Sequence, residues 1–79
     1  MSTAPDDKTI GRALKLARLH RDKSQQWLAD AIGCTYQQIQ KYEAGTNRVT
    51  LGTFIAIAAA LDVKVGGDVA AWIKKTAAL

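Results

Sequence analysis

At 79 residues, 48% of them apolar, the chain has material for one small domain with a thin core. Fourteen residues are alanine, 6% are aromatic and no β-branched run alternates with period two, which excludes a sheet and implies an all-α fold. One cysteine excludes an internal disulfide, the longest apolar run (54–61) is far short of the ~20 residues of a membrane span, and the net charge of +4 points to a polyanion partner.

Residues 1–8, MSTAPDDK, are small and polar and hold the only proline, so they read as a flexible arm. No charged-then-apolar leader is visible, and a cytoplasmic location without membrane attachment is expected. The predicted core, 9–63, begins with a helix from about Thr9, where Ile10, Ala13, Leu14 and Ala17 form a stripe. Ser24 offers a hydroxyl cap for a second helix, Gln25–Ile32, with Leu28, Ala29 and Ile32 on one face. Gly33 suits the left-handed turn that ends it. Thr35 caps a third helix, Tyr36 to about Ala44, closed by Gly45; two short helices joined by GCT make a helix-turn-helix. After the loop TNRV, Thr50 caps a fourth helix whose stripe is Leu51, Phe54, Ile55, Ala58 and Leu61. The C-terminal part, 64–79, carries a fifth helix, Asp68–Ala77, in which Val69, Trp72 and Ile73 share one side as packing residues, as a dimer contact, or as both.

The charge is not spread evenly. Between Lys8 and Arg48 there are eight basic and three acidic residues, a balance that favours nucleic acid as the partner. All five glutamines lie between Gln25 and Gln40. With Ile39 set inward at 100° per residue, Gln37 and Lys41 point outward on the third helix, and Gln38 and Gln40 border that face. Glutamine amides pair with adenine N6 and N7, and lysine donates to guanine O6 and N7. Tyr36 at the helix start suits a thymine methyl or a phosphate, and the free N–H groups around Thr35 suit phosphate. Each of these residues alone is equally well a solvated helix former; together, behind the GCT turn, they form a reading face.

Glu43 is the only glutamate, placed where the third helix turns back to the core. A half-buried carboxylate needs a cation, and Arg18 is the expected partner. Trp27 reads as a packing residue against the first helix, with an indole N–H reaching a phosphate as the other reading. His20 and Cys34 are single and 14 residues apart; they make neither a metal set nor a catalytic pair. No enzyme, metal or cofactor is expected.

Residues 14–63, LKLARLHRDKSQQWLADAIGCTYQQIQKYEAGTNRVTLGTFIAIAAALDV, contain the pattern R-x5-S-Q-x2-L-A-x3-G-x5-I-x3-E-x-G, followed by A-x2-L. This segment resembles the Cro and phage-repressor type of helix-turn-helix, the XRE family. The resemblance implies a compact five-helix domain that binds double-stranded operator DNA as a two-fold homodimer and represses transcription in a bacterium or phage. It also implies that Gln25 touches a phosphate, that Tyr36, Gln37 and Lys41 read bases, that Thr46, Asn47 and Arg48 touch the backbone, and that the Arg18–Glu43 pair is structural. Two-fold symmetry places half-sites about 34 Å apart. Two alternatives remain open at this stage. One is an antitoxin-type module that neutralises a protein partner and autoregulates its operon; the other is a helical scaffold that does not bind DNA.

Overall fold

The computed structural model describes residues 4–79. Five helices follow one another: α1 Asp7–His20, α2 Gln25–Ile32, α3 Tyr36–Ala44, α4 Leu51–Ala60 and α5 Val69–Ala77. Each begins with the same local device. The side chain of Asp6, Ser24, Thr35, Thr50 or Asp68 accepts from the backbone N–H three residues on, at 2.8–3.2 Å, satisfying a donor that the helix cannot.

The first of these caps corrects the expected arm over 1–8. Asp6 is an N-cap, and Asp7 and Lys8 belong to the helix, so α1 starts two residues before Thr9. Hydrogen bonds from Thr9, side chain and then backbone, hold the Asp6 carboxyl below its ordinary pKa. The outer part of that arm, residues 1–3, lies outside the described residues.

Gly33 and Gly45 end α2 and α3 in the left-handed region, both at φ 76°, as their places after the apolar stripes suggested. α1 and α4 instead run out to Asp22 and Asp62, at φ 56° and 54°. The backbone N–H of the next residue then reaches back, Lys23 to the Arg18 carbonyl and Val63 to that of Ala58. Aspartate is among the few residues that accept this conformation.

The core joins Leu14 and Ala17 of α1, Leu28 and Ala29 of α2, Ile39 of α3, Phe54 and Ile57 of α4, and Ile73 of α5. α1 packs on α3 and α5, while α2 packs on α3 and α4. Trp72 meets Phe54 edge to face, with ring centroids 5.7 Å apart and planes at 83°. α5 is tied to α1 by Arg12, whose Nε donates to the Ala77 carbonyl at 2.7 Å.

One stripe differs from expectation. α4 buries Phe54, Ile57 and Ala58 but leaves Leu51 and Ile55 66% and 57% exposed. The cause is that no residue from Leu51 to Ala60 is charged, so the helix is apolar nearly all round and periodicity cannot choose its inner face.

Candidate nucleic-acid interface

α3 is held by one fully inward residue and one salt bridge. Ile39 is 1% exposed, and Tyr42 packs on the core beside it. At the helix C-terminal end Glu43 accepts from Arg18 twice, Nε to Oε2 at 2.6 Å and Nη2 to Oε1 at 2.9 Å. The third contact of the guanidinium, Nη1 to the Lys23 carbonyl at 2.7 Å, fixes the start of α2 to the same point. With side chains 7% and 5% exposed, this is a buried, bidentate pair, and it forms as the sequence led us to expect.

The opposite face of α3 is open. Tyr36, Gln37, Gln40 and Lys41 are exposed, and Gln38 is half-buried at the edge. Thr35, exposed, caps the helix through its oxygen, which accepts from the Gln38 N–H. The following loop is bound to the helix end, with Thr46 Oγ1 and both Thr46 and Asn47 N–H groups donating to the Lys41 carbonyl. Thr46, Asn47 and Arg48 are exposed there. Arg48 lies 3.9 Å from Asp7 with its side chain 85% exposed, a pair of negligible strength that leaves the guanidinium available.

Gln25, expected to touch a phosphate, lies half-buried at the start of α2 beside the Arg18–Glu43 pair. At the first position of α2 it turns inward, and its Nε2 donates to Glu43 Oε1 at 3.0 Å. One amide N–H is therefore committed to the carboxylate, and Gln25 joins the Arg18–Glu43 network. The neighbouring Gln26 donates to Asp30 across one helical turn at 2.8 Å.

Trp27 also departs from its expected packing on the first helix. It is 37% exposed, with the Lys23 ammonium 4.6 Å above its ring. The signal was available: Leu28 and Ala29 point inward, so a residue one step before them faces outward at 100° per residue. Burial pushes the Cys34 thiol up from its ordinary pKa, the reverse of what activates a thiolate.

The three residues of α5 expected to pack, to form a dimer contact or to do both separate. Ile73 is 4% exposed and belongs to the core, Trp72 is half-buried on Phe54, and Val69 stays at the surface. Val69 borders an apolar groove of about 420 Å³ between α4 and the segment leading into α5, lined also by Leu51, Ile55, Ala59 and Val65.

A helix-turn-helix family model matches residues 14–67. The chain is similar to an uncharacterized HTH-type transcriptional regulator of Rickettsia conorii, 45% identical over 56 residues that make up 71% of this chain and 45% of the relative. It is also similar to one of Sinorhizobium fredii, 46% identical over 57 residues, covering 72% of this chain and 40% of the relative. An uncharacterized transcriptional regulator in the ATPase CF(0) region of Rhodospirillum rubrum is 39% identical over 59 residues, with 75% and 55% covered. The chain thus spans about half the length of the curated relatives it matches.

Proposed function

The chain belongs to the helix-turn-helix family of DNA-binding transcriptional regulators, and from that premise we propose that it is a repressor which binds a palindromic operator as a homodimer. The observation that carries this reading is the open face of α3. It offers amides, a phenol and an ammonium without a carboxylate, on a helix whose other side is anchored by Ile39 and Glu43. Donors and amides in that register suit base edges of the major groove. Thr46, Asn47 and Arg48, exposed beside it, suit the phosphates that set register.

Selection of bound duplexes from a randomised pool at near-physiological salt tests the reading. The expected product is an inverted repeat with half-sites about one helical turn apart. Bulk, salt-sensitive binding without enrichment would remove it. Within the selected operator, Gln37→Ala should cost about 1–3 kcal/mol at one base pair and relax preference there. Arg48→Ala should weaken all duplexes alike and reduce the salt slope by about one. Uniform loss in both variants would undo the division into reader and positioner.

The homodimer rests on the uncharged helix. Leu51 and Ile55, both exposed, line an apolar groove along α4, a face suited to an isologous contact with the same face of a second copy. Between chains that each carry +4, a face without charge is where two copies approach at least cost. α4 also begins three residues after Arg48, so pairing there brings the two DNA-facing loops into register. Ile55→Glu should sediment as a monomer and lose about 10²-fold in affinity for the full operator, while single half-site binding persists. An Ile55→Glu dimer would place the contact elsewhere.

A further inference from the structure

We propose that Lys23 and Trp27 form a clip on the DNA backbone, a second contact that is independent of base sequence; it rests on the reading of α3 as a DNA-binding helix. The chain has two tryptophans, and its core takes one of them: Trp72 lies on Phe54, whereas Trp27 is turned out from the first turn of α2. A large aromatic at the surface of so small a domain is an expensive choice unless something covers it.

The chemistry of the pair says what covers it. The indole N–H makes no hydrogen bond among the described residues, and the Lys23 ammonium rests over the ring at 4.6 Å. The other side chains at the start of α2 are committed: Ser24 to the backbone of Trp27, Gln25 to Glu43 and Gln26 to Asp30. What remains is an apolar plate with two donors. A deoxyribose phosphate is its complement, because the sugar can pack on the exposed part of the ring that the ammonium leaves open while the phosphate oxygens, which only accept, meet the ammonium and the N–H.

The pair is also fixed relative to the reading helix. Arg18 holds the Lys23 carbonyl at 2.7 Å with the same guanidinium that grips Glu43 of α3. A backbone contact at Lys23 and Trp27 therefore sets the depth and tilt of α3 without touching a base. It supplies from α2 the contact that Gln25, drawn toward Glu43, shares with the protein interior.

Duplex affinities of the full chain and its Trp27→Ala, Trp27→Phe and Lys23→Gln variants test the clip, on the selected operator and on random duplex over a range of salt. Trp27→Ala should bind both duplexes about tenfold more weakly, with the selected bases unchanged. Lys23→Gln should lower the slope of log K against log salt by about one. Trp27→Phe keeps the plate without its N–H and should fall between wild type and Trp27→Ala. Far-UV circular dichroism checks each fold, and if Trp27→Ala does not fold, the other two variants decide. Unchanged affinity and slope in Trp27→Phe and Lys23→Gln would overturn the clip, as would a change in the preferred bases. Wild-type protein that binds no duplex fails the reading of α3 itself; wild-type binding with indifferent variants fails the clip alone.

Discussion

Glu43→Ala is expected to destabilise the fold by about 3–5 kcal/mol, the usual consequence of leaving one partner of a buried ion pair behind. The Arg18 guanidinium would lose two of its three contacts and keep only the Lys23 carbonyl. Gln25 would lose its acceptor in the same stroke. Both orphaned groups are donors in a region where the Arg18 side chain is 7% exposed, so water cannot replace the carboxylate cheaply. A loss of that size is comparable to the whole stability of a domain this small. Urea unfolding followed by circular dichroism should show a lower midpoint with an unchanged slope. The control is an apolar pair. Arg18→Met combined with Glu43→Leu removes both desolvation penalties and should recover most of the loss. If Glu43→Ala lowered the unfolding free energy by less than about 0.5 kcal/mol, the network would not be what fastens α3. The double variant separates two roles as well: it restores the fold but frees Gln25, so its operator affinity reports how far that side chain reaches a phosphate when released.

What could be read in the sequence was what is local. Ser24, Thr35 and Thr50 are caps because a hydroxyl before an apolar stripe has few other uses, and Gly33 and Gly45 end helices for a backbone reason confined to one residue. The Arg18–Glu43 pair was legible because a lone half-buried carboxylate demands a cation. What escaped was settled by neighbours distant in the chain. α4 is apolar on every side, so which stripe it buries depended on where α2 lay. The bond from the Gln25 amide to Glu43 joins residues 18 apart, which no local pattern announces. Trp27 looked like core because tryptophan usually is; the inward positions of Leu28 and Ala29 outweighed its size. Asp6 was hidden by composition, since a cap and a polar arm use the same residues.

Gly11 escaped for the same reason, and its replacement is the second large effect expected. Propensity alone says that alanine in the middle of a helix is better than glycine by about 1 kcal/mol. The packing of α1 against α3 says the opposite. A Cβ on Gly11 would collide with the Tyr42 carbonyl oxygen and stand 2.7 Å from that of Glu43. Both are backbone atoms, so no flexible side chain can swing away and one helix must move. Steric cost should win, and Gly11→Ala is expected to destabilise by about 3 kcal/mol. Gly52→Ala is the companion variant, because nothing lies within 4 Å of its Cβ position in α4. There the propensity gain is unopposed and stability should rise by up to about 1 kcal/mol. Thermal unfolding of the two variants should therefore shift in opposite directions. Equal shifts would mean that α1 and α3 do not approach backbone to backbone. The consequence reaches the proposed function, because Gly11 lies two helical turns before Arg18 on α1 and both meet the C-terminal end of α3. Pushing that end outward re-aims Gln37 and Lys41 while leaving the net charge unchanged. At temperatures where Gly11→Ala is still folded, operator affinity should fall more than affinity for random duplex, since base contacts depend on the aim of the helix and phosphate attraction depends mainly on charge.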